Sequence, residues 1–309
     1  MSLSYRKITG VLLLDKPKGI SSNYALQEVK RIFIANKAGY TGTLDPLATG
    51  MLPICFGEAT KFAQYLTNAN KRYLVVAKLG KRTNTSDAYG VVVKECPINF
   101  NQKNLYDALE SFKGNILQVP SIFSALKYKG SPLYKYAHKG IFIERKSRLI
   151  TIHELRLIRW NYDELELEIN CSKGTYIRTL VDDLGEKLGC SAYVIALRRL
   201  QVANCCYNKM ITLDQLYRLF SVFIKTGISL KNFVDQLLLP IDSQLSHLPM
   251  INLPSFTVTK FKQGQLIFFD ELLPKGFIRI TEGKLYKFIG IAKVTNDNYI
   301  VLHRLLNND

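Results

Sequence analysis

The chain has 309 residues, 47% of them hydrophobic and 22% charged, which suits a soluble globular protein with one large domain and one small one. A formal net charge of +17 is not ordinary and points to a polyanionic partner, nucleic acid ahead of a membrane surface. No uninterrupted apolar span or strongly basic amphipathic helix supports a membrane role. The six cysteines form no C-x-x-C pair, with Cys205 and Cys206 adjacent, and His138, His153, His247 and His303 are scattered. No metal site is therefore expected, nor a secretory signal, and reduced thiols in a cytoplasm are the expected setting.

In chain order, Gly10 to Asp15 reads as a buried strand and Lys16-Pro17-Lys18-Gly19 as a turn. Ser22 is the expected N-cap of a helix with Leu26, Val29 and Phe33 along one stripe. The run from Ala38 to Gly50 then offers one carboxylate, Asp45, among small, apolar and hydroxyl residues. Pro46 disfavours helical backbone at Asp45, and Gly42 and Gly50 permit sharp turns or close approach. No basic residue lies between Lys37 and Lys61, so a counter-charge must come from distant sequence. That pattern suits a lone acidic nucleophile, although for an arbitrary Asp-Pro an aspartate capping a turn is the commoner case.

Leu52 to Gly57 is strand-like, and Ala59, Phe62, Ala63 and Leu66 have amphipathic helical spacing. Arg72 to Leu79 reads as a strand with Tyr73, Val75, Ala77 and Leu79 on one face. A polar turn follows from Thr83 to Gly90, and Val91-Val92-Val93 is expected to resume the sheet. Leu105 to Phe112 reads as a helix that Gly114 can end. Leu165 to Ile169 alternates like a strand with one wet face. Gly174 precedes a helix carrying Ile177, Val181, Leu184 and Leu188, and Leu197 to Val202 is another strand. The fold class is therefore mixed α/β.

Pro120 to Ile150 differs in character. Lys127, Lys129, Lys135, Lys139, Arg145, Lys146 and Arg148 face the single acid Glu144, with Tyr128, Tyr134, Tyr136 and Phe142 interleaved. Cations for phosphates and flat rings for bases suit an RNA-gripping insertion; a solvated basic loop would have the same composition. A helical region is expected near Leu213 to Leu239. Beyond Pro254, short apolar runs at Phe256 to Val258, Gln265 to Phe269, Phe277 to Ile280, Leu285 to Ala292 and Tyr299 to Leu302 suggest a small β-barrel.

Gly39-Tyr40-Thr41-Gly42-Thr43-Leu44-Asp45-Pro46-Leu47-Ala48-Thr49-Gly50-Met51-Leu52-Pro53 resembles the active-site motif of the TruB family of tRNA pseudouridine synthases. Further similar blocks are Asp15 to Gly19, Lys71-Arg72-Tyr73, Thr85-Ser86-Asp87 and Cys171 to Thr179, in the family's order and spacing. The resemblance implies a pseudouridine-synthase catalytic domain over residues 1–248, with a mainly antiparallel mixed sheet flanked by helices and an RNA-binding insertion near 120–150. A PUA-like β-barrel would follow over 249–309.

The implied reaction is isomerisation of uridine 55 in the TΨC arm of tRNA. The resemblance implies Asp45 as the acting carboxylate, Arg178 as its partner and Tyr73 as the ring stacked on the flipped base. It places Tyr176 and Leu197 at substrate contacts, Lys16 and Pro17 at the pocket wall, and Asp87 beside Arg178. Read from the residues alone, Arg178 could lie on a solvated helix face, and Tyr73, Tyr176 and Leu197 could be core side chains. The family usually has histidine where this chain has Tyr40; tyrosine keeps a flat ring for filling the vacated stack but loses the titratable imidazole.

Isomerisation leaves the base's atoms in place and needs no redox cofactor or energy donor, in keeping with a chain that has neither G-x-G-x-x-G nor G-x-x-x-x-G-K-[ST]. No cofactor, metal, guide RNA or obligatory protein partner is expected, and the protein is expected to be a cytoplasmic monomer. Two other readings are a non-catalytic tRNA-folding chaperone and a guide-dependent synthase. The intact Asp45, Tyr73 and Arg178 set argues against the first, and the long basic insertion against the second.

Overall fold

The structure, a computed structural model, describes residues 4–205, 207–226, 234–269 and 272–307. Its first part runs β1 (Gly10–Lys16), α1 (Ser22–Ile32), β2 (Ala38–Tyr40), β3 (Thr49–Phe56), α2 (Ala63–Asn68), β4 (Lys71–Leu79), β5 (Lys81–Thr83) and β6 (Val92–Glu95). There follow α3 (Gln102–Ser111), β7 (Gly114–Gln118), β8 (Lys127–Tyr128), β9 (Ser131–Pro132), α4 (Leu133–Ala137), β10 (Arg148–Asn161), β11 (Glu164–Cys171), α5 (Ile177–Lys187), β12 (Ala192–Val202), β13 (Ile211–Thr212) and α6 (Leu213–Thr226). The last part contains β14 (Met250–Leu253), α7 (Ser255–Lys262), β15 (Ile267–Phe268), β16 (Gly276–Glu282), β17 (Lys287–Val294) and β18 (Tyr299–Leu305).

Nine strands form the main sheet in the order β13-β1-β3-β12-β4-β11-β10-β7, with β2 also on β3. All its pairs are antiparallel except β1 with β13 and β3 with β12. Alternation explains β4, whose Tyr73, Val75, Ala77 and Leu79 point into the core. On β11, Leu165, Leu167 and Ile169 go inward, while outward Glu168 pairs with Arg72 and Arg156. β1 is buried on both faces: Leu12 and Leu14 join the core under α1 and α5, while Val11 and Leu13 pack on the opposite side.

That opposite side meets the C-terminal sheet, a curled five-stranded array in the order β14-β16-β17-β18-β15. Phe62 and Phe288 meet edge-on there with ring centroids 5.4 Å apart, and the Asn307 N–H donates to Glu58 at 2.9 Å. Among the described residues, no helix is long and apolar enough to cross a membrane, and no group of three or more His, Cys, Asp or Glu side chains could hold a metal.

Several local expectations differ from the structure. Ser21, not Ser22, caps α1 by accepting from the Tyr24 N–H at 3.1 Å. Ser22 turns inward and is 1% exposed; its hydroxyl donates to the Leu44 carbonyl at 2.9 Å and accepts from the Leu44 N–H at 2.8 Å. Val91 to Val93 do not resume the main sheet, because β6 pairs only with β5 in an exposed ribbon. Ala59 to Leu66 form a 3₁₀ segment, Gly57–Phe62, that runs into α2 rather than one continuous helix. Phe256 to Val258 lie in α7, where Val258 and Phe261 are buried at helical spacing. The helical region near Leu213 to Leu239 is α6 up to Thr226; residues 227–233 lie outside the described residues, as does Cys206.

Ser22→Ala is expected to strand both the N–H and the carbonyl of Leu44 in the core. Buried groups left unpaired cost about 1–3 kcal/mol each, so a loss near ~2 kcal/mol is expected. A fall of about 4–8 °C in Tm, at the scale of a domain this size, checks it by thermal unfolding. An unchanged Tm would show that Ser22 carries no such clamp.

Candidate active site

Asp45 sits on the connection between β2 and β3, on the non-helical backbone that Pro46 demands. The flanking backbone is held from three directions. Ser22 clamps Leu44, the Gly19 N–H donates to the Pro46 carbonyl at 2.8 Å, and the Ala48 N–H closes a turn onto the Asp45 carbonyl at 3.0 Å. The turn from Lys16 to Gly19 is thereby fastened directly beside the acid.

The counter-charge comes from 133 positions away. Arg178, in the first turn of α5, donates from Nε to one Asp45 oxygen at 2.8 Å and from Nη2 to the other at 3.1 Å, a bidentate pair. Its remaining donors are used as well. Nη2 also reaches the Phe123 carbonyl at 2.8 Å, and Nη1 reaches the Thr85 carbonyl at 3.0 Å and the Asp87 carboxylate at 3.5 Å. The arginine is 5% exposed, whereas the Asp45 side chain keeps 37% of its exposure and faces the opening. The buried partner therefore aims the open one.

Asp87 is itself held by the Thr85 hydroxyl at 2.7 Å and the Tyr89 N–H at 3.0 Å. Lys16, at the end of β1, is fully buried, and its ammonium donates to the Pro17 and Ile20 carbonyls, each at 2.8 Å. Burial pushes the Lys16 pKa down to about 8, with the Asp45 charge pulling it up and Arg199 pulling it down. Loss of surrounding water raises the Asp45 pKa above the ordinary aspartate range. Arg178 is the chief opposing influence, Asp87 raises it further, and Lys16 lowers it.

Tyr73 and Leu197 lie on one sheet face: Tyr73 faces Arg199 across β4 and β12, and Leu197 faces Val75. Both are nearly buried, at 9% and 7% exposure, and burial raises the Tyr73 pKa. Tyr176 occupies the N-cap of α5, half-buried, with its backbone gripped on both sides by the Gln118 amide at 2.8 and 3.0 Å. Pro17 is exposed and contributes its carbonyl to Lys16. Tyr40, on β2 opposite Ile54, packs against the core, and among the described residues no hydrogen bond joins it to the Asp45–Arg178 pair.

The basic insertion begins at this site. Phe123 lends its carbonyl to Arg178, and the Tyr134 N–H donates to the Ser124 carbonyl at 3.1 Å, tying α4 to the same segment. Lys127, Lys129, Lys135, Lys139, Lys146 and Arg148 are exposed. Lys129 lies over the Tyr128 ring and Arg145 over Phe142, each 5.6 Å from the centroid. Sequence reading missed Ser22, Thr85, Gln118, Phe123 and Arg199 as parts of the site. Thr85 and Phe123 act through backbone carbonyls, which no side-chain pattern signals. Arg199 carried a signal, a cation in the middle of an apolar strand.

Comparison with known proteins follows the same division of the chain. Residues 30–177 match the family described as "TruB family pseudouridylate synthase (N terminal domain)". Residues 178–246 match "tRNA pseudouridylate synthase B C-terminal domain", and 249–306 match "Pseudouridine synthase II TruB, C-terminal". A relative from Photorhabdus laumondii, named tRNA pseudouridine synthase B, is 55% identical over 303 residues, covering 97% of this chain and 96% of its own. One of the same name from Shewanella amazonensis is 52% identical over 301 residues, with the same coverage. Among solved structures, an H/ACA RNP bound to a substrate RNA containing 2′-deoxyuridine superposes with a TM-score of 0.73 at 20% identity, covering 97% of this chain and 85% of that one. A Cbf5-Nop10-Gar1 complex gives 0.72 at 22% identity, covering 94% and 79%.

Proposed function

This chain belongs to the TruB family of pseudouridylate synthases, and from that premise we propose that Asp45, held by Arg178, isomerises uridine 55 in the TΨC loop of tRNA. The protein is a tRNA pseudouridine synthase, an isomerase. The observation that carries the site assignment is the bidentate Asp45–Arg178 pair, an open carboxylate aimed by a buried cation.

In this reading, Asp45 acts at the ribose, either by attacking C1′ or by taking the proton from C2′. The N1–C1′ bond breaks with its electron pair going to the base, the ring turns, and C5 joins C1′. Joining C5 to C1′ expels the Asp45 carboxylate on the first route, and C2′ regains its proton on the second. The proton on C5 then leaves to solvent while N1 takes one up, so the product has the composition of the substrate. Tyr73 stacks on the flipped base, Tyr176 and Leu197 contact it, and Tyr40 fills the vacated stack. Lys16 and Pro17 shape the pocket wall, and Asp87 holds Arg178 from behind. We assign residues 1–248 to the catalytic domain, with the insertion near 120–150 gripping RNA, and 249–309 to the PUA-like domain. The enzyme works in the cytoplasm as a monomer, without guide RNA, protein partner, metal or organic cofactor. The solved neighbours, at 20–22% identity, support the fold alone, so the guide-dependent reading gains nothing from them.

Incubating purified protein with an unmodified tRNA transcript, then mapping pseudouridine by chemical labelling, tests the reading. One new pseudouridine at position 55 is expected; a different position, or none, overturns it. Replacing Lys127 to Arg148 by a short linker is expected to weaken tRNA binding and flatten its salt dependence by about one unit per lost phosphate contact. An unchanged slope in the folded variant would return the segment to a solvated loop.

A further inference from the structure

Behind the Asp45 loop, on β12, lies a second arginine. Arg199 is 1% exposed and, among the described residues, heads the largest fully buried side chains. A buried cation ordinarily pairs with an acid, because leaving water costs more than hydrogen bonds to neutral groups return. Arg199 instead donates to two backbone carbonyls, from Nε to Met51 at 2.7 Å and from Nη2 to Gly42 at 2.8 Å. Those carbonyls stand on either side of Asp45 in sequence, one in the loop ahead of it and one on β3.

The glycines of the motif fit the same partner. A Cβ on Gly42 would stand 3.2 Å from Arg199 Nη1, and a Cβ on Gly50 would come within 2.3 Å of the Arg199 backbone oxygen. Both glycines also adopt left-handed backbone, with φ of +66° and +95°. Gly50 is the direct partner of Arg199 between β3 and β12, and Tyr73 is its direct partner between β12 and β4. One residue thus joins the two ends of the Asp45 loop to the strand that faces Tyr73.

We infer that Arg199 is a positioning residue for the reaction: by binding the Gly42 and Met51 carbonyls together, it sets where Asp45 stands relative to Tyr73. It touches neither substrate nor the carboxylate. Arg178 aims the carboxylate itself, and Arg199 anchors the backbone that carries it. Only a forked cation can reach both carbonyls, whereas lysine offers a single point of donation. This rests on reading Asp45 as the acting carboxylate.

The test compares Arg199→Lys and Gly42→Ala with wild type and Asp45→Asn in tritium release from 5-tritiated tRNA. Gly42→Ala presses on the same guanidinium, at Nη1, from the loop side and leaves the arginine in place. In both variants kcat is expected to fall about 10²-fold, the scale of a 1 Å misplacement. KM and tRNA affinity are expected to stay within about threefold. The acid limb of the pH profile is expected to keep its position, because Arg199 makes no contact with the carboxylate. Full kcat in a folded Arg199→Lys, beside an inactive Asp45→Asn, would remove Arg199 from the positioning role. Parallel losses of kcat, tRNA affinity and thermal stability in both variants would reduce it to a core residue. An active Asp45→Asn would instead sink the reading of Asp45 itself.

Discussion

Asp45→Asn is expected to abolish isomerisation while leaving tRNA affinity within about tenfold, ~1.4 kcal/mol. The reason is a division of labour. On the proposed reading binding rests on cations spread along the insertion and elsewhere on a chain of net charge +17, none of which this change touches. On the same proposed reading chemistry rests on one ionised carboxylate, and an amide of the same shape is neither nucleophile nor base. A loss on the order of 10⁴-fold or more is the scale for removing such a group. Because C5 exchanges its hydrogen when pseudouridine forms, tritium release from 5-tritiated uridine measures the chemistry directly. Asp45→Asn should release none above background, and release near the wild-type rate would take Asp45 out of the active site.

Arg178→Met is expected to show the second-largest loss, about 10²–10³-fold in kcat, since it removes the preorganised charge that aims the acid. It also predicts a change in pH dependence. In the proposed reaction Asp45 acts ionised, and its pKa already lies above the usual range because burial outweighs Arg178. Wild-type activity should therefore fall, as pH drops, earlier than it would for an ordinary aspartate. Deleting Arg178 removes the chief influence lowering that pKa, so the acid limb should move to still higher pH. The limb staying in place would mean that the pair does not govern the charge on Asp45.

Much of the scaffold could be read from local pattern. Strands β4 and β11 declare themselves by alternation, because a side-chain period of two puts every second residue in the core. Helix α5 does so by its apolar stripe, and the extended backbone at Asp45 follows from Pro46. Pattern failed where neighbouring residues were locally equivalent. Ser21 and Ser22 are both good caps, and only the arrival of Leu44 decides which one turns inward. Val91 to Val93 have strand propensity but no place in the main sheet, so they pair in a peripheral ribbon. Phe256 to Val258 have it too, yet burying Val258 together with Phe261 against the C-terminal sheet favours helix.

Arg178 as partner of the carboxylate came only with the family resemblance; by itself the sequence displayed a lone carboxylate with no nearby cation, glycines at the turns and a basic, aromatic segment near 120–150. These are properties of single residues and short spacings, so they survive without a fold. Only the tertiary structure decided what surrounds the carboxylate. The acceptors of Arg178 come from Asp45, Thr85, Asp87 and Phe123, and the loop's rear anchor comes from Arg199. A guanidinium has five donors but no preference in sequence for which carbonyls fill them. The sheet order and the packing of α5 bring those carbonyls within 3 Å, and backbone acceptors leave no trace in residue identity.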